Sequence, residues 1–302
     1  MSSADEQQEA KHDSHDEYVD LGGGKRLRVI FHEHERGKAA PLALFVHGLG
    51  GQAAQWQHQL PAVSSVANCL CVDMVGCGRS SVLKSWDDYY DESLVEDLSK
   101  ILSLEKFKNP NLIFIGHSYG CVLVSLLYLK YSSNCHGIVF VSPVPGALPP
   151  TRAKKILPYI PDLILNLLRV LDRRGGLESA SVKRMIYTED IEVKKTVLKW
   201  NKESRTPVYK RFVCGINHTL TPDLLGKLHC ALLNIFGEKD ALEKRGNASI
   251  LREWAADATF FQQISLPEVG HIPQVESHEQ VTEAIVRFVE RVSKKDTVNS
   301  ID

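Results

Sequence analysis

An apolar run, Leu112-Ile-Phe-Ile115, ends abruptly in Gly116-His-Ser-Tyr-Gly120, and this junction restricts the fold more than any other stretch of the chain. Bulky apolar side chains followed by a serine between two glycines predict a buried strand, a very tight turn and the first turn of a helix, the pattern of a nucleophile elbow. Ser118 lies at its tip. Gly116 and Gly120 are expected there because a side chain at either position would collide with the neighbouring strand or helix across so sharp a bend. The helix-like run from Val122 to Tyr131 supplies the helix that the turn must feed. Its N-terminal N–H groups and dipole favour the negative charge that develops when a hydroxyl attacks a carbonyl.

The same order of apolar strand, glycine-rich loop and helix recurs along the chain. Pro41-Leu-Ala-Leu-Phe-Val46 is an unbroken apolar run of the kind found in a parallel strand covered on both faces, and it leads into His47-Gly-Leu-Gly-Gly51. A helix is expected over 53–66. A strand follows at 69–74, ending in Asp73-Met-Val-Gly-Cys-Gly-Arg-Ser80. Leu94, Val95, Leu98, Ile101 and Leu102 have helical spacing and predict a helix over 90–104. Strands at 137–142, 231–236 and 259–264 and helices at 250–256 and 280–292 continue the alternation. The fold class is therefore α/β: a mostly parallel central sheet wound with helices, with loops at the carboxyl ends of its strands. Upstream, Tyr18–Leu21 and Leu27–Glu33 read as two strands joined through Gly22-Gly-Gly-Lys25. That glycine run is not a phosphate loop, because no helix follows and Arg26 stands where a hydroxyl is required.

Residues 144–228 break the alternation. Pro143, Pro145, Pro149 and Pro150 interrupt regular structure, and an apolar helical face then runs from Ile156 to Leu171. A second helical stretch is expected over 181–200. An insertion of this length is too long for a structureless loop and predicts a helical cap or lid. Its apolar face is expected to pack against the main domain, the alternative being a membrane-contacting or lipid-lining surface. The expected organisation is a disordered polar tail at 1–17, a core at 18–143 and 229–293, the cap at 144–228 and a flexible tail at 294–302.

A chain of 302 residues with 43% hydrophobic content can bury one large core. Its net charge of −1 leaves no electrostatic footprint for nucleic acid. The seven cysteines are scattered, without Cys-x-x-Cys or metal-ligand spacing, and read as reduced core residues. The first residues are polar and acidic rather than basic and then apolar, and no stretch reaches the length of a membrane span. The expected location is the cytoplasm, with contact at the periphery of intracellular membranes through the cap. On that expectation the triplets at Asn217 and Asn247 are chance matches to the glycosylation sequon.

A serine hydroxyl needs a base to take its proton, and the base is usually a histidine held in one tautomer by a carboxylate. Asp240, four residues past the strand ending at Phe236, and His271, in the loop after the last strand, occupy suitable places. The order Ser118, Asp240, His271 is that expected of this elbow. Asp73 and Glu238 are alternative acids and His278 an alternative base. His117 should point away from the hydroxyl, and His47 should brace its own loop. A tetrahedral intermediate needs two backbone donors, assigned to the N–H groups of Tyr119 and Leu49, with Gly48 and Gly50 permitting close approach. Losing one such donor typically costs about 3 kcal/mol in the barrier.

His47-Gly-Leu-Gly-Gly51, Asp73-x-x-Gly-x-Gly-x-Ser80, Gly116-His-Ser-Tyr-Gly120, Gly237-x-x-Asp240 and Gly270-His271 together resemble the α/β-hydrolase superfamily. Within it the chain is similar to intracellular abhydrolase domain-containing serine hydrolases with a helical cap. The resemblance implies Ser118 as nucleophile, Asp240 as acid, His271 as base, Leu49 and Tyr119 as oxyanion donors, and no metal or organic cofactor. Serine rather than aspartate at 118 argues against epoxide-hydrolase and dehalogenase chemistry. The expected activity is hydrolysis of a carboxylic ester or thioester, with a small-molecule ester or lipid-like acyl compound as substrate. The alternatives are a C–C bond or amide hydrolase with the same triad, or a hydrolase-like ligand receptor or scaffold with little turnover.

Overall fold

A computed structural model of the chain describes residues 15–146, 151–243 and 247–298. Pro149, Pro150, most of the expected N-terminal tail and the last four residues lie outside the described residues. Among these residues eight strands form one sheet: β1 (His15–Asp20), β2 (Arg26–His32), β3 (Leu42–Val46), β4 (Asn68–Val72), β5 (Leu112–His117), β6 (Cys135–Val141), β7 (Ala231–Gly237) and β8 (Phe260–Leu266). Their order is β1-β2-β4-β3-β5-β6-β7-β8. β1 and β2 pair antiparallel, as do β2 and β4, and every later pair is parallel. β1 takes in the last three residues of the expected tail, His15, Asp16 and Glu17, which pair with β2 from His15↔Phe31.

Among the described residues twelve α-helices accompany the sheet: α1 (Leu60–Val63), α2 (Asp91–Ser103), α3 (Tyr119–Tyr131), α4 (Thr151–Ile156), α5 (Asp162–Arg173), α6 (Ala180–Met185), α7 (Ile191–Glu203), α8 (Thr206–Gly215), α9 (Pro222–Leu225), α10 (Asn247–Trp254), α11 (Pro273–Glu276) and α12 (His278–Val298). The helix expected over 53–66 is a 3₁₀ turn at Ala53–Trp56 and the short α1. Pro61, without an N–H and crowding the preceding turn, fits only at the start of a helix. At the other end α12 runs on to Val298, through part of the expected C-terminal tail.

Alternating strand residues face opposite layers. Leu44, Phe114, Ile138, Phe140 and Leu232 pack with α2 and α3 on one side. Phe45, Ile113, Ile115, Val139 and Leu233 pack on the other side with α12, whose Val281, Ile285, Phe288, Val289 and Val292 recur at helical spacing. None of the seven cysteines forms a disulfide and six are buried, as their reading as core residues requires.

The insertion is helical as expected, but finer-grained. Its first apolar stretch is broken at Pro158 and Pro161 into α4, a 3₁₀ turn and α5, and its second is divided into α6 and α7. The chain also rejoins the core before the expected boundary at 228. Ile216, Leu220, Leu224, Leu225 and Leu228 are buried in the same cluster as α2 and α3. The main departure concerns α5. It buries no residue, and Leu163, Ile164, Leu167, Leu168 and Leu171 are 47–79% exposed, so the expected packing of this face on the main domain is not what the fold does.

Candidate active site

β3 and β5 lie side by side in parallel, with Val46 opposite Gly116, whereas β4 lies on the other side of β3. The loops leaving β3 and β5 therefore open together at a point where the winding of the sheet reverses, which is where α/β sheets form their crevice. One loop carries His47-Gly-Leu-Gly-Gly51 and the other carries Ser118.

Ser118 has φ 53° and ψ −117°, a conformation rare for a residue with a side chain. The turn is tight enough that a Cβ at Gly116 would lie 2.6 Å from the Gly120 carbonyl carbon, and one at Gly120 would strike the Val46 carbonyl oxygen. Ser118 Oγ lies 2.8 Å from His271 Nε2, and His271 Nδ1 lies 2.6 Å from Asp240 Oδ2. Asp240 Oδ1 accepts the Leu242 N–H at 2.8 Å. Burial pushes the Asp240 carboxyl up, but its hydrogen bond and charge interaction with His271 outweigh this and hold it below the usual carboxylate range. The three residues singled out in the sequence thus form one connected chain.

Gly48 backs onto the serine: a Cβ there would sit 3.0 Å from Ser118 Cβ. The Leu49 and Tyr119 N–H groups, among the described residues, take part in no turn or side-chain hydrogen bond. His47 is fully buried and braces its loop as expected: Nδ1–H donates to the Gly48 carbonyl at 2.8 Å, and Nε2 accepts the Met74 N–H at 3.1 Å. Burial lowers its pKa and keeps it neutral.

The alternative residues are occupied elsewhere. Asp73 accepts from the Ala53 and Arg79 N–H groups and from Arg28, Glu238 is exposed, and His278 stacks on His58. His117 does turn from the serine, yet it has a task the sequence did not reveal. Its Nε2–H donates to the His271 carbonyl at 2.8 Å, and burial drives its pKa down to about 3, so it stays a neutral donor.

Three further residues support the site without any sequence signal. Glu276 accepts the N–H groups of Gly270 and Ile272, on either side of His271, and those of Tyr187 and Thr188 from the cap. The His271 N–H itself donates to the Met185 carbonyl at 2.9 Å, so the histidine loop is stitched to the cap. The Tyr119 hydroxyl donates to buried Asp91, whose other oxygen accepts the Asn217 and His218 N–H groups. Outside the Glu276 loop these contacts pair residues 28 to 127 positions apart, and no spacing rule links them.

Above Ser118 and His271 is a half-open cavity of about 710 Å³, lined in part by the cap. Leu168, Met185, Val197, Trp200 and Ile272 give it a mainly apolar wall, and Arg169 and Arg184 stand on its cap side. Its size and lining suit an organic molecule with a substantial apolar part.

The family described as the alpha/beta hydrolase fold matches residues 41–277 of the chain. The protein belongs to the α/β-hydrolase family. It is 27% identical over 264 residues to an abhydrolase domain-containing protein of Schizosaccharomyces pombe, covering 84% of this chain and 71% of that one. It is 24% identical to lipid droplet hydrolase 1 of Saccharomyces cerevisiae, over 82% of this chain and 75% of that one. For several other curated relatives the match covers less than half of the relative's length. Among solved structures, a thermophilic esterase from Thermogutta terrifontis superposes with a TM-score of 0.73 at 18% identity, covering 92% of this chain and 98% of that one. Its likeness is one of fold.

Proposed function

We propose that the protein is a serine hydrolase that cleaves a carboxylic ester or thioester of a lipid-like acyl compound through an acyl-enzyme. The observation that carries the proposal is the continuous path from Ser118 Oγ through His271 to Asp240, with links of 2.8 and 2.6 Å, at the floor of an apolar cavity. His271 Nε2 takes the Ser118 proton as Oγ attacks the acyl carbon, while Asp240 holds the Nδ1–H tautomer and stabilises the imidazolium. The negative charge on the carbonyl oxygen falls to the N–H groups of Leu49 and Tyr119. His271 then returns the proton to the leaving alcohol or thiol, and water repeats the sequence on the acyl-serine to release the acid. That one relative is named lipid droplet hydrolase 1 agrees with a lipid-like substrate.

The test is labelling with a fluorophosphonate probe beside Ser118→Ala, followed by rates on p-nitrophenyl esters of increasing chain length. Labelling of the wild type alone, with kcat/KM rising towards longer chains, is the expected result. An unlabelled wild type would overturn the serine hydrolase, and rates that fall with chain length would overturn the lipid-like substrate.

A further inference from the structure

Helix α5 is amphipathic in the reverse sense to an ordinary surface helix. Its polar side faces the protein: Asn166 and Arg169 bond Thr206, Arg169 and Arg173 bond the Asn201 carbonyl, and Asp162 pairs with Lys210. Positions 162, 166, 169 and 173 form one stripe at helical spacing. The opposite stripe is apolar and open to solvent, with Leu163 79%, Ile164 50%, Leu167 56%, Leu168 58% and Leu171 47% exposed. Ile156 and Tyr159, just upstream, are 58% and 85% exposed. A monomer in water gains nothing from such an arrangement, and fully burying each leucine or isoleucine is worth about 1.5–3 kcal/mol. Because Arg169 and Arg173 are fixed to α7 and α8, the helix cannot roll to hide its apolar stripe without breaking those bonds.

Charge decides what covers it. The segment Thr151–Arg174 holds six basic residues, Arg152, Lys154, Lys155, Arg169, Arg173 and Arg174, against Asp162 and Asp172, whereas the whole chain has a net charge of −1. Arg152, Lys155 and Arg174 are exposed at the two ends of the apolar stripe. Two copies joined through this face would bring like charges together. A negatively charged lipid surface instead accepts the leucines among its acyl chains and the basic ends at its headgroups, with Tyr159 at the boundary. Among the described residues no helix is long and apolar enough to cross a membrane, so the contact is peripheral. Leu168 and Arg169 also line the cavity above Ser118, which places the docking face beside the cavity wall.

From these observations we infer that α5 and the turn before it form a docking surface for an anionic lipid bilayer or monolayer. The inference goes beyond the hydrolase proposal and does not depend on acylation of Ser118, since binding is read without turnover. The experiment is flotation of the full chain with vesicles of phosphatidylcholine alone and of phosphatidylcholine with phosphatidylserine, for the wild type and for Leu163→Glu with Leu167→Glu. Neither leucine lines the cavity, and p-nitrophenyl acetate hydrolysis or, failing that, the thermal melt reports that the variant is folded. The expected result is binding strengthened by phosphatidylserine, weakened by salt, and reduced in the variant by about 100-fold, a tenfold share for each leucine. A wild type that ignores both vesicles, binding indifferent to phosphatidylserine, or a variant that binds like the wild type would overturn it. So would a concentration-dependent wild-type dimer that the variant abolishes, which would assign the face to a second copy.

Discussion

At Ser118, Gly116 and Gly120 the backbone leaves no room for alternatives, and at His117 the constraint is electrical. His117 is buried beside His271, its ring 5.1 Å away, and its pKa falls to about 3 from an ordinary 6.5 because burial penalises the imidazolium. The unfolded chain therefore binds a proton between these values that the folded chain does not. The contribution of His117 to stability is full above pH 6.5 and is lost as the pH falls towards 3. From pH 7 to pH 5 the loss is about 2 kcal/mol. In His117→Gln, which keeps a donor for the His271 carbonyl but does not titrate, the difference in urea unfolding free energy between these pH values should shrink by that amount. Part of the slope remains because burial lowers the pKa of His47 in the same direction. An unchanged slope would show that His117 is not the titrating group.

Among elements, the short α11 has an influence out of proportion to its four residues. Glu276 at its end gathers N–H groups from both sides of His271 and from the link between α6 and α7, so it sets the position of the histidine and of the cap together. Burial raises the pKa of this carboxyl despite those four donors. Glu276→Gln replaces one acceptor oxygen by an NH₂ facing N–H groups and should cost about 1–3 kcal/mol in a urea titration. In the proposed mechanism Glu276 touches no reacting atom and acts chiefly by holding the His271 loop. The variant should therefore lower kcat for ester hydrolysis, by about tenfold or more, with little change in KM. A KM effect alone would place the role of Glu276 in the cap wall rather than at the base.

On the scale of the whole molecule, core and cap meet through buried polar contacts as well as through the small apolar cluster of Val182, Ile186, Val197 and Trp200 with Ile272 and Val275. Asp91 joins the first turn of α2, the hydroxyl of Tyr119, the residue after Ser118, and the Asn217–His218 return from the cap. Removing this buried carboxylate strands the Tyr119 hydroxyl and the Asn217 and His218 N–H groups and takes away the partner of the His218 ring. Asp91→Ala should lower the unfolding free energy by about 3 kcal/mol and speed hydrogen exchange at the Asn217 and His218 amides. Exchange unchanged at those two amides would mean that Asp91 does not hold the return strand of chain.

What could be read from the amino-acid order is whatever is local. The apolar runs of β3 to β7, the glycine-flanked Ser118, and the order of Ser118, Asp240 and His271 all rest on short-range sterics and hydrogen bonding, and these act over a few residues. The fold and the meeting of Ser118, His271 and Asp240 were therefore legible. The proline breaks at Pro61 and Pro158 were equally local, but an apolar run masked them. The supporting contacts of Glu276, Asp91 and His117 were not legible, because they depend on which loops the sheet order brings together. The same reason governs α5. Its sequence fixes that one side is apolar, but which side faces the protein is decided by Arg169, Arg173 and Asn166 meeting Asn201 and Thr206, and only the tertiary structure brings those partners within reach.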